Sequence, residues 1–217
     1  MKQYDYIFLD LDGTLTDPAL GITNAVMYAL EKYGIHVADR RELFKFIGPP
    51  LVDSFQAFYG FSPEKALEAT RRYREYFADR GIFENKLYPG IIETLEALKR
   101  AGKHLVMATS KPEAFAKRIA EHFGFAQYFE FIGGAAMNET RTKKWEVIEY
   151  DIENCHITDR SRVLMVGDRE HDILGAKHCA LDSMGVLYGY GDRAELEKAG
   201  ADYIAETVSD LSRMILT

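Results

Sequence analysis

Short apolar runs alternate with helical periodicity along most of the chain. Buried parallel strands are typically brief, uninterrupted apolar runs rich in β-branched and aromatic residues, because both faces of such a sheet are covered. Between these runs, apolar residues recur at the three- and four-residue spacing of an amphipathic helix. The alternation predicts βαβ units and an α/β fold with a doubly wound parallel sheet. The predicted strands are 6–9, 105–108, 128–132, 163–166, 183–187 and, with a weaker pattern, 202–204.

The alternation is interrupted once, between the first and the second predicted strand. Throughout this stretch the hydrophobic periodicity is helical only, and turns containing glycine or proline separate the segments. An insertion that follows a strand's carboxyl end lies above the place where open α/β sheets bind ligands. We therefore predict a helical cap at residues 17–83, inserted into a core formed by residues 1–16 and 84–217. The helices predicted in the cap are 22–33, 40–46, 51–58 and 63–80.

Composition and charge narrow the possible partners. The 217 residues are 47% hydrophobic and 28% charged, as in a packed globular protein. The formal net charge of −7 argues against a nucleic-acid polymer and against a polybasic membrane anchor. No apolar run reaches the ~18–20 residues needed to cross a bilayer, so we expect no membrane partner. Because Cys155 and Cys179 do not make a disulfide framework, a cytoplasmic location is expected.

Two carboxylates follow the first predicted strand at a spacing of two residues. Asp10 lies at the strand's carboxyl end and Asp12 begins the next loop, where Gly13 permits backbone conformations closed to other residues. Like charges held this close need a cation or a shared proton, so the pair suits a hard divalent metal. One aspartate can attack phosphorus and the other can protonate a leaving oxygen. An Asx turn that caps the following element explains the same segment equally well.

Hydroxyls and lysines mark two further places where a phosphate can bind. Thr109 and Ser110 follow the second core strand and precede a helix, which brings hydroxyl donors to a helix N-terminus. Lys143 and Lys144 lie at the start of a later helix, where the helix macrodipole disfavours a cation. A lysine at this position is therefore a candidate to extend into a negatively charged pocket. Helix capping by Ser110 and a solvated surface pair of lysines are the alternative explanations.

A third strand also ends in acidic residues. Asp168 follows the strand 163–166 and Gly167, and Asp172 lies four residues later on the first turn of a helix. Since this spacing places both carboxylates on one side of the helix, Asp168 can ligate Mg²⁺ while Asp172 holds a metal-bound water or braces the site. Helix capping explains either aspartate alone, but not the recurrence of acids at strand ends. The Gly-Tyr-Gly segment at 189–191 is interpreted as a turn.

In this order, the motifs resemble those of the haloacid dehalogenase superfamily of phosphohydrolases, and the match covers nearly the whole chain. The helical block after the first strand is similar to the cap of the phosphoglycolate phosphatase-like and β-phosphoglucomutase-like branch. The resemblance implies a Rossmann-like core, and it chooses Lys144 over Lys143. The segment Asp10–Leu15 corresponds to the first motif of the family, Thr109 to the second, Lys144 to the third, and Asp168 with Asp172 to the fourth.

The resemblance also implies a role for each of these residues. Asp10 is expected to be the nucleophile that forms an aspartyl-phosphate. Asp12 is expected to protonate the leaving alcohol and then to deprotonate the hydrolytic water. Mg²⁺ is expected on Asp10, the Asp12 backbone carbonyl and Asp168, with Asp172 in support. The phosphoryl group is expected to bind the backbone at Gly13 and the side chains of Thr109, Ser110 and Lys144.

Together, the residues and the resemblance predict an Mg²⁺-dependent phosphatase that hydrolyses a small phosphorylated metabolite. Residues 140–144 and 167–169 resemble the corresponding segments of bacterial phosphoglycolate phosphatases and 5′-nucleotidases. Two alternatives stay open: a β-phosphoglucomutase-like enzyme that rephosphorylates its product, and a phosphate-binding regulatory module without turnover. The residues predicted to select the leaving group are Arg41, Lys45, Gly48 and Arg141.

Overall fold

The computed structural model describes all residues from Met1 to Thr217. They form two units, one made of Met1–Asp17 with Leu87–Thr217 and the other of Pro18–Lys86. The chain leaves and re-enters the first unit along two short strands, β2 (Thr16–Asp17) and β3 (Lys86–Leu87), which pair with each other. The second unit begins one residue after the start of the predicted cap and ends three residues after its predicted end. Two-residue strands have no periodicity that a sequence pattern can reveal, so this boundary was not predictable.

Six parallel strands form the sheet of the larger unit, which confirms the predicted α/β, doubly wound fold. They are β1 (Tyr6–Leu9), β4 (His104–Pro112), β5 (Phe131–Ala135), β6 (Val163–Gly167), β7 (Asp182–Val186) and β8 (Tyr203–Ala205). Their order across the sheet is β5-β4-β1-β6-β7-β8. Leu9 is in register with Met107 of β4 on one side and with Val166 of β6 on the other. The first strand is therefore central, and its carboxyl end lies between those of β4 and β6.

Two of these strands differ from their predicted ranges by more than one residue at an end. The strand predicted at 128–132 begins only at Phe131, because Ala126–Tyr128 forms a 3₁₀ turn in which the Tyr128 N–H donates to the Phe125 carbonyl at 3.1 Å. Local turn hydrogen bonds here override the strand propensity of the aromatic residues. β4, in contrast, continues past its predicted end to Pro112, with a shift of register against β5. The extension carries the strand beyond Thr109 and into the site region.

Six helices accompany this sheet and bury its apolar strands. Val147 and Ile148 pack against Phe8, Val106 and Met165 in one hydrophobic cluster. Burying both faces of the central strands accounts for their continuous apolar sequence. The helices are α4 (Ile91–Arg100), α5 (Glu113–His122), α6 (Lys144–Asn154), α7 (Glu170–His178), α8 (Arg193–Ala199) and α9 (Val208–Leu216).

Up to the short strand β3, the second unit contains only helices, as its periodicity predicts. The helix predicted at 63–80 changes from α to π geometry at Phe77, and a β-carbon on Gly21 would lie 1.9 Å from the Gly81 carbonyl oxygen of that π turn. Only glycine permits so close an approach of two backbones. No helix of the protein combines the length and the apolar character required to cross a bilayer. The elements of this unit are α1 (Ala19–Glu31), a 3₁₀ helix (Arg40–Phe46), α2 (Leu51–Tyr59), α3 (Pro63–Tyr76) and the π turn (Phe77–Gly81).

Candidate active site

The carboxyl ends of the three central strands bring the predicted site residues together. Asp10 follows β1, Thr109 lies near the end of β4, and Asp168 follows β6. The Asp10 N–H donates to the Val166 carbonyl at 2.9 Å, which extends the pairing of β1 with β6 by one residue. The side chains of Asp10, Thr109 and Asp168 are all buried. The sheet thus gathers polar groups that lie far apart in the sequence.

Asp10, Asp168 and Asp172 form a buried acidic cluster, in which carboxylate oxygens of all three residues lie within 4.8 Å of one another. Burial raises the pKa of Asp168 well above its usual range, and the nearby Asp172 and Asp10 carboxylates raise it further. One carboxylate oxygen of Asp168, Oδ2, accepts the Tyr190 N–H at 2.7 Å, whereas Oδ1 is buried without a hydrogen-bond partner. A donor set made only of oxygens, with one carboxylate oxygen unused, fits a hard cation such as Mg²⁺. The charge of such an ion offsets the mutual repulsion of the cluster.

Lys144 is the cation that the structure places against this acidic cluster. Its Nζ lies 2.6 Å from Oδ1 of Asp10 and 2.7 Å from Oδ1 of Asp172, and it donates to the Ala108 carbonyl at 2.8 Å. Although burial acts to lower the pKa of Lys144, the Asp10 and Asp172 charges outweigh it and hold that pKa above its usual range. Lys143 is exposed. Of the two adjacent lysines, Lys144 is therefore the one whose charge acts in the site.

A second buried lysine, Lys111, pairs with Asp12 and was not predicted from the sequence. Its Nζ donates to Oδ2 of Asp12 at 2.5 Å, and the two side chains are only 5% and 10% exposed. Burial raises the pKa of Asp12, and the Lys111 charge opposes that shift. The signal was present in the sequence, since Lys111 lies two residues after Thr109 on an extended segment, where side chains at that spacing point to the same side.

The residues predicted to hold phosphoryl oxygens have different surroundings. Thr109 is buried, and its Oγ1 accepts the Lys111 N–H at 3.3 Å, while Ser110 is half-buried. The Gly13 N–H, expected to bind phosphate, donates instead to the Thr16 carbonyl at 2.8 Å and closes the turn after β1. What this glycine provides is space: its φ is +87°, and a β-carbon there would lie 2.1 Å from Oδ2 of Asp168.

The sequence of the chain matches a family that has this arrangement of motifs. The family model described as haloacid dehalogenase-like hydrolase matches residues 6–186. The chain belongs to this family. The resemblance found in the motifs is thereby confirmed.

Three named relatives of this hydrolase are similar to it over most of its length. A 5′-nucleotidase from Pseudomonas aeruginosa is 45% identical over 194 residues, covering 89% of this chain and 87% of that protein. Tyrosine-protein kinase PtkA from Mycobacterium tuberculosis is 36% identical over 208 residues, covering 94% of this chain and 70% of that one. A phosphoglycolate phosphatase from Vibrio parahaemolyticus is 30% identical over 226 residues, covering 99% and 98%.

Among solved structures, a predicted phosphatase from Clostridium acetobutylicum has a TM-score of 0.97 and 47% sequence identity, and the match covers 99% of each chain. Together with the family match and with the relatives named 5′-nucleotidase and phosphoglycolate phosphatase, this likeness identifies the chain as a phosphatase of the haloacid dehalogenase-like family. The predicted enzyme class is confirmed.

In this hydrolase, Asp172 both caps a helix and belongs to the acidic cluster. Asp172 accepts the Arg169 N–H at 3.1 Å through Oδ2, so it stabilises the start of α7 as the capping explanation expected. Its other oxygen, Oδ1, is the one that contacts Lys144. One carboxylate therefore serves both purposes, because the first turn of α7 begins directly at the acidic cluster.

The four residues predicted to select the leaving group have contacts of their own. Arg141 donates from Nε to the Gly134 carbonyl at 2.9 Å, and its guanidinium lies over the Tyr150 ring. In the helical unit, Arg41 is exposed and pairs with Asp39 at 2.7 Å. The Lys45 ammonium lies over the Phe58 ring, and Gly48 has a φ of +105°. A part in substrate selection stays a prediction for all four.

Proposed function

We propose that this protein is an Mg²⁺-dependent phosphatase that hydrolyses a small phosphomonoester through an aspartyl-phosphate on Asp10. The observation that carries the proposal is the buried acidic cluster at the end of β1, with Lys144 bound to its nucleophile candidate and Lys111 bound to Asp12. Two lysines and a divalent cation at one buried place give the positive charge that a phosphate dianion requires.

In the proposed mechanism, Asp10 attacks the phosphorus atom. Lys144 holds Oδ1 of Asp10 at 2.6 Å, which fixes the carboxylate and leaves Oδ2 as the attacking oxygen. When Mg²⁺ is bound by Asp10, Asp168 and the Asp12 backbone carbonyl, with Asp172 in support, it supplies electrostatic stabilisation of the transferring phosphoryl group. Lys144, held between Asp10 and Asp172, adds a fixed positive charge beside the nucleophile candidate.

Asp12 supplies the proton in this mechanism. Lys111 binds Oδ2 of Asp12, and Oδ1 is buried without a hydrogen-bond partner, so Oδ1 is the oxygen available to a leaving group. Burial raises the pKa of Asp12, which is the direction of shift that a carboxyl acting as general acid near neutral pH requires. After the alcohol departs, the same oxygen takes a proton from the water that hydrolyses the aspartyl-phosphate.

The names of the relatives support two substrate classes. Identity of 45% to the protein named 5′-nucleotidase favours a nucleoside 5′-monophosphate as the first candidate, and 30% identity to the protein named phosphoglycolate phosphatase makes 2-phosphoglycolate the second. The direct experiment measures phosphate release from a panel that contains both compounds and several sugar phosphates. Formation of glucose 6-phosphate from β-glucose 1-phosphate without phosphate release would favour a mutase, and release of no more than one phosphate per chain would favour a regulatory module.

Removal of divalent metal is expected to reduce phosphate release to background. Without a cation, the three carboxylates of the acidic cluster repel one another, and they also repel the substrate dianion. Activity is measured after dialysis against EDTA and again after Mg²⁺ is restored, with Ca²⁺ as a control for general ionic effects. Turnover that persists unchanged in EDTA would contradict the proposal.

Replacement of Lys111 by glutamine is expected to lower kcat about ten- to a hundredfold, since the loss of its charge and hydrogen bond frees the Asp12 carboxyl from its orientation. The matched control is Lys117→Gln, which removes a lysine that pairs with Glu113 on the surface of the same unit at 2.6 Å. That variant is expected to keep wild-type kcat. A Lys111→Gln enzyme whose kcat lies within twofold of wild type would assign the lysine no part in turnover.

A further inference from the structure

The loop 188–191 closes around Asp168, although the sequence predicted only a turn there. The Tyr190 N–H donates to Oδ2 of Asp168 at 2.7 Å. A β-carbon on Gly189 would lie 2.3 Å from Cβ of Asp168 and 2.4 Å from the Gly13 carbonyl oxygen, and one on Gly191 would lie 2.0 Å from the Asp168 carbonyl oxygen. The backbone of the loop can approach Asp168 this closely only because residues 189 and 191 are glycines. The close approach lets the Tyr190 N–H reach the Asp168 carboxylate.

The same loop is tied at its other side to the segment that follows Asp12. The Tyr190 phenol donates to the Asp17 carboxylate, and the Tyr188 phenol donates to the Thr14 carbonyl at 3.1 Å. The Tyr88 ring packs edge-on against Tyr188 with centroids 5.1 Å apart. Two side chains of one short loop thus reach residues 14–17, while its main chain holds Asp168.

We propose that Tyr190 is a positioning residue for the cation site. Its phenol is bound to Asp17 and holds the loop in place. The Tyr190 N–H then donates to Oδ2 of Asp168, and Oδ1 stays available for Mg²⁺. The inference rests on the Mg²⁺ site of the proposed function. Groups that bind a metal ligand from outside orient that ligand, and their loss lowers metal affinity. The Tyr190 N–H holds Oδ2 of Asp168 and thereby limits rotation of the carboxylate, whose Oδ1 has no hydrogen-bond partner and is available to a cation.

The test is metal binding in the absence of substrate, measured by Mg²⁺ calorimetry and by Mn²⁺ electron paramagnetic resonance on the full chain. Tyr190→Phe keeps the ring and the main-chain N–H but removes the bond to Asp17, and we expect the dissociation constant for the metal to rise about tenfold. Asp17→Ala removes the same bond from the other side and should give the same rise. The double variant should bind metal no more weakly than Tyr190→Phe alone, because both changes break the contact between Tyr190 and Asp17.

Two further variants separate positioning from general damage to the fold. Asp17→Asn keeps an oxygen acceptor for the Tyr190 phenol, and it is expected to retain most of the wild-type affinity. Tyr128→Phe removes another phenol–carboxylate hydrogen bond, to Glu96 at 2.9 Å, in the turn before β5, and it should leave metal binding unchanged. In activity assays, Tyr190→Phe should need more Mg²⁺ for half-maximal rate yet approach wild-type kcat at saturating Mg²⁺.

The outcomes that overturn the inference are distinct from those that overturn the proposed function. If Tyr190→Phe is folded and its dissociation constant for the metal lies within twofold of the wild-type value, the phenol has no positioning role. The same conclusion follows if the effects of the Tyr190 and Asp17 changes on metal affinity are strictly additive. A wild-type protein that binds no Mg²⁺ at all removes the cation site, and with it both proposals. Metal binding that responds to Tyr190→Phe, in a chain that releases no phosphate, would sustain the positioning role and reject the phosphatase mechanism.

Discussion

Replacing Asp10 by asparagine is expected to lower phosphate release at least about 10³-fold while the protein stays folded. The amide has nearly the shape of the carboxylate but is not a nucleophile towards phosphorus, so the proposed aspartyl-phosphate cannot form. The fold should tolerate the change, because it removes one charge from the acidic cluster, and Lys144 keeps its contact with Asp172 at 2.7 Å. Phosphate release with the best substrate of the panel, together with thermal unfolding, measures both parts of the prediction.

A second aspartate near the same strand provides a matched control for this variant. Asp5, just before the amino end of β1, pairs with Arg162 at the protein surface, so Asp5→Asn makes the same chemical change at the opposite end of the strand. It should leave turnover unchanged. Without metal, Asp10→Asn should be at least as stable as wild type, and Mg²⁺ should stabilise it less because a carboxylate ligand is missing. Wild-type turnover by the Asp10→Asn enzyme would refute the nucleophilic role.

Replacing Asp151 by valine is expected to raise the free energy of unfolding by several kcal/mol at neutral pH, because each pH unit above the ordinary carboxyl pKa adds about 1.4 kcal/mol to the cost of keeping the acid buried and neutral. Asp151 lies on α6 with 0% of its surface exposed, and both of its carboxylate oxygens lack a hydrogen-bond partner. One oxygen occupies the space beside Gly133, where a β-carbon would lie only 1.6 Å from it. Burial raises the pKa of Asp151 to about 9, so the group is a neutral acid at neutral pH. A buried acid without partners is a net cost that an apolar side chain of similar size avoids.

The pH dependence of this difference has a defined sign. With a pKa of about 9 in the folded chain against an ordinary value of 3.8, Asp151 is protonated in the folded state and ionised in the unfolded state between these limits. The unfolded state therefore binds fewer protons there, and the contribution of Asp151 to stability falls as pH rises from about 4 to about 9. The stabilising effect of Asp151→Val should accordingly be smallest near pH 4 and largest near pH 9.

Denaturant unfolding at several pH values tests both claims. The control is Glu153→Val, which removes an exposed acid from the same helix and should change stability by less than about 0.5 kcal/mol. Other titrating groups are shared by wild type and variant, so they cancel in the difference. A destabilised Asp151→Val protein, or a difference that does not change with pH, would show that the carboxyl has a partner in solution.

Asp10, Asp168 and the pair of lysines at 143 and 144 could be singled out from the sequence because each is marked by its neighbours. Asp10 and Asp168 directly follow apolar runs that end as buried strands, and Lys144 is a cation where the helix dipole opposes one. These signals depend only on residues that are neighbours in the sequence. The fold then brings the marked residues together, because the carboxyl ends of parallel strands lie at one edge of the sheet. The turn at Tyr128 was missed for the opposite reason, since its hydrogen bonds override the propensity of its residues.

The order of the strands, in contrast, was decided by the tertiary structure alone. Because β1 lies between β4 and β6, Lys111 meets Asp12 across 99 positions of sequence, and Lys144 meets Asp10 across 134. Nothing in the local pattern distinguishes Lys144 from Lys143; the rotation of α6 about its axis buries one and exposes the other.

By itself, the sequence predicted an α/β fold with a helical insertion, and it placed Asp10 and Asp168 directly after buried strands. Only the tertiary structure decided which polar groups touch. It paired Lys111 with Asp12 and closed the loop 188–191 on Asp168. The physical reason is that hydrophobic periodicity depends on residues a few positions apart, whereas an ion pair or a steric fit depends on where distant segments cross.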